Sequence, residues 1–215
     1  MVNSVFAKCE FSSKQGFNRN FLFSRNQKIS STCRHANLRL MSPDKQVSLK
    51  PFDFVLAVKI AVNVEQDFLI SQLAEEFGVS VSTVHAGLQR AVLAKLLSRS
   101  SGSVRAVHSA LQEFAVHGVK YAFPGTLGRS TRGVPTAIGA PILASRFEST
   151  TALVPVWPHP EGTVYGFELI PLHPAVPKVA LHDQSLHDVL ALVDAIRIGA
   201  AREREMAMEE LKWKL

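Results

Sequence analysis

Six side chains between Ser82 and Arg90 have the types and spacing that suit recognition chemistry. Ser82, Thr83, His85, Ala86, Gln89 and Arg90 recur at three, four and seven residues, which gathers them on the outward side of a helix. Gln presents a donor and an acceptor together and matches an adenine edge. Arg presents a fork that matches guanine or a phosphate. Short Ser and Ala side chains let a backbone come close. Bond-breaking chemistry has no comparable pattern. The eight histidines are scattered, and His182 and His187 stand five apart, where four favours two ligands on one helix face. Nothing in the sequence joins His159, His173, Asp183 and Asp188, and no nucleophile elbow, paired carboxylates or HExxH occurs. The expectation is a chain with no catalytic residue, no metal and no cofactor.

The elements that must position those side chains are written in Ile70–Arg90, ISQLAEEFGVSVSTVHAGLQR. Leu73, Ala74 and Phe77 share one helix face, and Ala74 is small where a second helix must cross. Gly78 follows the last apolar residue, where a helix end favours positive φ. Val79 plugs the gap, Ser80 is an N-cap with Thr83 three residues on, and Val84 and Leu88 form the buried stripe of the next helix. Gly87 is a departure, since glycine within a helix costs about 1 kcal/mol relative to Ala. It either permits close packing or marks a weaker helix. Two short helices joined at Gly78 read as a helix-turn-helix, whose second helix enters the major groove of DNA. The rival reading is a helical hairpin that only packs.

Leu73–Leu97, LAEEFGVSVSTVHAGLQRAVLAKLL, resembles the winged-helix families of bacterial regulators, such as the MarR-like and GntR-like groups. The resemblance implies that the helix after the glycine turn reads the groove and that Ala91–Leu97 leads into a wing. Ser98–Val104, SRSSGSV, is too short for a full two-stranded wing. The expected DNA-contacting set is Ser80, Ser82, Thr83, His85, Ala86 and Gln89 toward the bases, with Arg90, Lys95 and Arg99 on phosphates. Arg129 and Arg132 either touch the DNA backbone or minor groove or belong to a loop packed across the helices.

Charge distribution sharpens this set. Residues 1–40 carry a net charge of +6 and residues 41–215 carry none, so the excess of basic residues belongs to the first forty. Within the remainder, residues 90–146 hold a net +7 between stretches of −3 and −4. The positive stretch therefore begins inside the candidate recognition helix, where a phosphate footprint is expected. Both cysteines, Cys9 and Cys33, lie in the first forty residues, which leaves the rest without a disulfide or cysteine zinc site and fits a cytoplasmic protein. Residues 1–47 lack periodicity and read as a disordered basic tail. This tail is a transit peptide, a DNA-gripping arm, or an extension upstream of a true start at Met41. No apolar run reaches membrane-spanning length, so no membrane partner is expected.

The expected fold is mainly α with a small β part: a three-helix, winged-helix-like domain over 48–118, a Gly/Pro-rich loop and β-hairpin region over 119–184, and a long helix or helix pair over 185–215. Phe52–Val64 is the supporting first helix with Pro51 at its start, and Asp67 introduces the second. Val104–Gly118 is a further helix stopped by Gly118. Val119–Leu143 is irregular or extended, and its glycines match no phosphate-binding loop. Ala152–Trp157 and Thr163–Pro171 pair around PHPEG with Trp157 and Tyr165 on the apolar face. Leu186, Val189, Leu190, Val193 and Ile196 form the stripe of the final helix, with Gly199 as a bend, and serve dimerisation or a protein partner. The functional expectation is a sequence-specific, homodimeric regulator of transcription, a repressor, bound to double-stranded DNA. The alternative is an antitoxin-like protein that binds a co-encoded partner through Ser185–Leu215 and autoregulates its operon. A third reading is a regulator that senses a small molecule through the hairpin region.

Overall fold

Helix α1 (Pro51–Val62) is apolar on every side, and Phe52 through Ala61 are all buried. A helix hydrophobic all round belongs at the centre of a fold, and the remaining elements assemble around this one. The computed structural model describes residues 48–100, 103–146 and 153–215. The tail assigned to residues 1–47 lies outside the described residues. The described residues form one compact unit. The architecture is α+β.

Two charged residues lie in the buried surface of α1, and each is matched by an opposite charge from another helix. Asp53 is fully buried and pairs with Arg90. Lys59 is 5% exposed, donates to the Glu76 carboxylate, and reaches Asp183 Oδ2 at 2.9 Å. Glu76 lies on α2 (Ile70–Phe77), Arg90 on α3 (Val81–Leu93), and Asp183 at the N-cap of α8 (Gln184–Ile198). A buried charge without a partner costs several kcal/mol, so these pairs fix three helices against the first.

After α3 the chain forms a two-stranded antiparallel hairpin, β1 (Leu97–Ser100) with β2 (Ser103–Ala106), in register from Leu97↔Ala106 to Ser100↔Ser103. This corrects the expectation that Ser98–Val104 is too short: the pairing extends past that window at both ends, to Leu97 and to Arg105 and Ala106. It also shortens the helix expected from Val104, which begins as α4 at His108. Gly118 does not stop it. A π-helical turn (Phe114–Gly118) carries the backbone into α5 (Val119–Ala122). The Phe114 ring lies over Gly118, where an added Cβ would stand 2.7 Å from it, and packs on Phe54 and Phe123.

The segment expected to be irregular contains a nine-residue strand, β3 (Leu127–Pro135), followed by a 3-10 turn (Ala137–Gly139) and α6 (Pro141–Ala144). β4 (Pro155–Pro158) and β5 (Val164–Leu169) are both antiparallel to β3 and parallel to each other, so they are not the hairpin that PHPEG suggested. The three strands close on one another. Closure brings backbones together at Gly133 and Gly166, where an added Cβ would lie 2.0 Å from the carbonyl oxygens of Trp157 and Val154. The glycines of this region serve close backbone approach, not loop freedom. Trp157 is buried as expected, whereas Tyr165 points to solvent at 62% exposure.

Short α7 (Val176–Ala180) leads to α8, in which every residue from Leu186 to Ile196 except Asp188 is buried. Trp157 Nε1 and Thr136 Oγ1 donate to Asp194 Oδ2 at 2.6 and 2.9 Å, and Arg197 donates to its other oxygen at 2.6 Å. Burial pushes the Asp194 carboxyl up against the opposing pull of Arg197 and these donors. His187 donates to the Pro135 carbonyl at 2.8 Å, which with Asp194 ties the strands to the helix. The chain turns at Gly199 into α9 (Ala201–Lys214), which folds back on α8 and buries Ala207 and Leu211. The final segment is thus a helix pair, and the stripe from Leu186 to Ile196 lies in this chain's own core. That stripe is therefore not a surface for dimerisation or a partner, while α9 buries only Ala207 and Leu211 and keeps its other side exposed. Among the described residues no helix is long and apolar enough to cross a membrane.

Asp183 carries a pH signature. Burial works to raise its carboxyl, but the Leu186 amide together with Lys59 and Asn63 outweighs this and holds it below the ordinary value of 3.8. A carboxyl depressed in the folded state stabilises the fold fully above its unfolded pKa, and that contribution is lost as pH falls through the folded pKa. Asp183→Asn should therefore lower stability by about 1–3 kcal/mol near neutrality. Urea unfolding from pH 7 to pH 3 should show the wild-type advantage shrinking only below about pH 4. A difference independent of pH would contradict this role.

Candidate nucleic-acid interface

The turn between α2 and α3 is built by three residues. Gly78 takes φ +62°, and its amide and that of Val79 donate to the carbonyls of Glu75 and Ala74 at 3.1 and 2.9 Å. This left-handed cap ends α2 and satisfies its last carbonyls. Ser80 then caps α3: its Oγ accepts from the Thr83 amide at 3.1 Å. Leu73, Ala74 and Phe77 of α2 and Val84 and Leu88 of α3 are buried together. Gly87 resolves toward close packing, since an added Cβ would stand 2.8 Å from Leu56 Cδ1 and 3.1 Å from Asp53 Oδ1.

The opposite side of α3 is exposed among the described residues. Ser82, Thr83, His85 and Gln89 are exposed, and Ala86 is half-buried between them. Gln89 Nε2 and His85 Nε2 stand 3.4 Å apart. The hydroxyls of Ser82 and Thr83 are each 2.8 Å from Ser80 Oγ, so all three belong to one small network at the helix start. The stripe Ser82–His85–Ala86–Gln89 runs along about two turns, the length that a recognition helix lays against base edges. Ser80, by contrast, is occupied by its own cap, and its placement is that of a structural residue beside the stripe.

Arg90 departs most from its expected role. Its Nε and one terminal nitrogen donate to the two carboxylate oxygens of Asp53 at 2.7 and 2.6 Å, and its side chain is only 20% exposed. Asp53 Oδ2 also accepts from the Lys50 amide at 2.8 Å at the start of α1. The hydrogen bond to Asp53, set against partial burial, raises the Arg90 guanidinium above its ordinary value. The pair commits the Nε edge of the guanidinium to Asp53 and leaves only its remaining terminal N–H groups for a further partner. Arg90 positions α3 on α1 rather than reaching outward.

Lys95 and Arg99 remain as cations that follow α3 in the chain. Lys95 is exposed just after α3 at φ +63°, and Arg99 is exposed on β1. The hairpin adds Arg105, which the sequence reading left inside a helix. It pairs with Asp67 at 3.4 Å, with both side chains more than half exposed, so the pair is weak and the cation can exchange partners. Arg129 and Arg132 are exposed on β3, not on a loop. Arg132 Nε donates to the Gly162 carbonyl at 2.8 Å, which ties it to the strand region rather than to α3. Among the described residues no three His, Cys, Asp or Glu side chains gather as a metal site.

The chain matches no protein-family model, no curated protein and no solved structure.

Removing the Arg90 side chain leaves the fully buried Asp53 carboxylate without its ion partner. Arg90→Ala should destabilise the fold by about 3–5 kcal/mol, whereas Gln89→Ala should stay within about 0.5 kcal/mol of wild type. Denaturant midpoints of the two variants check this, and equal midpoints would show that Arg90 does not hold α3.

Proposed function

We propose that this chain is a sequence-specific, double-stranded DNA-binding regulator of transcription of the winged-helix type. In this reading α3 lies in the major groove, and Ser82, His85, Ala86 and Gln89 meet base edges. Thr83 lies at the groove margin. Lys95 and Arg99 hold phosphates on the side of the hairpin, which takes the place of a wing.

The observation that carries the reading is the polar stripe of α3, exposed among the described residues, placed one glycine turn after α2 and followed directly by an antiparallel hairpin bearing arginines. The antitoxin-like alternative keeps the acidic balance of residues 147–215 as its support, although the apolar stripe of α8 is covered by this chain's own core.

Binding is testable by fluorescence anisotropy on labelled duplexes from the DNA upstream of the coding region, with an unrelated duplex as competitor. Gln89→Ala should weaken binding to the preferred duplex by about 1–3 kcal/mol and leave competitor binding nearly unchanged. Lys95→Ala and Arg99→Ala should weaken both duplexes alike and each reduce the salt slope by about 1. Wild-type protein that binds no duplex at low salt would overturn the proposal.

A further inference from the structure

A cavity of about 270 Å³ opens between the β1–β2 hairpin and the first three helices. Ile60 of α1, Leu73 of α2 and Leu88 of α3 line it, and all three are buried. Phe68 lines it as well, with its ring centroid 5.6 Å from Lys59 Nζ. Arg99 and Val104 come from the hairpin. Leu97 and Arg99 leave β1 on the same side, and Leu97 is buried, so Arg99 leaves the strand toward the helices. Val104 stands opposite Arg99 in register and shares that side.

Two charged residues line the same cavity, Asp67 and Arg99, and their signs are opposite. Arg99 makes no ion pair with another described residue. Asp67 meets Arg105 at 3.4 Å with both side chains more than half exposed, a pair weak enough to exchange for another cation. The cavity therefore offers three things to one small molecule: a guanidinium fork, a carboxylate and an apolar floor.

We infer that this cavity binds a free α-amino acid with an apolar side chain of about the size of leucine. The ligand carboxylate takes the fork of Arg99, which suits two-point pairing. Its ammonium takes the Asp67 carboxylate, and its side chain covers Ile60, Leu73 and Leu88. Pockets for drug-sized ligands run to about 300–1,000 Å³, so the volume here restricts the occupant to a smaller molecule. A simple carboxylate would leave Asp67 facing an anion, and a simple amine would leave Arg99 facing a cation. A zwitterion matches both. The site stands without DNA. Its consequence rests on the proposed DNA-binding function, in which Arg99 holds a phosphate: amino acid and duplex then compete for one guanidinium, and the amino acid releases the DNA.

Isothermal titration calorimetry of the full chain tests the inference. L-leucine should bind at one site with a Kd of about 1 mM or tighter. Isocaproate, which lacks the amino group, and isoamylamine, which lacks the carboxylate, should each bind at least tenfold more weakly. Arg99→Gln and Asp67→Asn should each weaken leucine at least tenfold, with circular dichroism and the denaturant midpoint unchanged. No saturable heat up to about 20 mM leucine, isocaproate or isoamylamine binding as tightly as leucine, or leucine binding indifferent to both substitutions would overturn the inference. In the anisotropy experiment, saturating leucine should weaken duplex binding by wild type, and a duplex affinity unmoved by bound leucine would overturn the competition. A chain that binds leucine as described yet binds no duplex leaves this site standing and removes the regulator reading alone. A chain that binds its preferred duplex but not leucine does the reverse.

Discussion

Two charges buried in one helix organise this molecule. Asp53 and Lys59 sit in α1 among residues that are otherwise apolar and hidden from water, and neither can be left unpaired there. Asp53 is met by Arg90, which draws α3 across α1 at the point where Gly87 removes the side chain that would hold the helices apart. Lys59 is met by Glu76 and Asp183, which bring the end of α2 and the start of α8 to the same side. Apolar contact alone would tolerate rotation of these helices about their axes. Charge pairing with two-point geometry does not.

The same constraint decides which groups remain for recognition. The rotation of α3 set by Arg90 turns Val84, Leu88 and Ala91 inward and leaves Ser82, His85, Ala86 and Gln89 outward. A basic residue that looks like a DNA anchor in the sequence is therefore the anchor of the helix itself. In the proposed DNA-binding reading, cationic groups for phosphate come later, from Lys95 and the hairpin. The strands and α8 form a separate support, in which Asp194 joins Trp157, Thr136 and Arg197 in the core.

Local features of the chain were legible in the sequence, and long-range ones were not. The Gly78 turn, the Ser80 cap and the buried faces of α2 and α3 depend on neighbours within four residues, and the structure has them as read. The partnership of Arg90 with Asp53 spans 37 residues, and no local pattern carries it. The hairpin was hidden because its strands are four residues each and mostly Ser and Arg, without the alternation that signals a half-buried strand. β3 was hidden for a different reason: its Gly and Pro residues imitate a loop, while Gly133 lets the backbone of β4 approach closely. For α8 a signal was present. Ala191, Leu192 and Ala195 fill the sides between the apolar stripe, so the helix is hydrophobic all round and belongs inside.

The central claim is that the outward stripe of α3 reads base edges while Arg90 does not. Selection from a random duplex library, followed by affinities of wild type and Gln89→Ala for every single-base change in the enriched site, tests it most directly. The account predicts one enriched motif, with discrimination at one base pair reduced by about 1–3 kcal/mol in Gln89→Ala and retained at the other positions. Enrichment of no motif, or equal loss at every position, would contradict it.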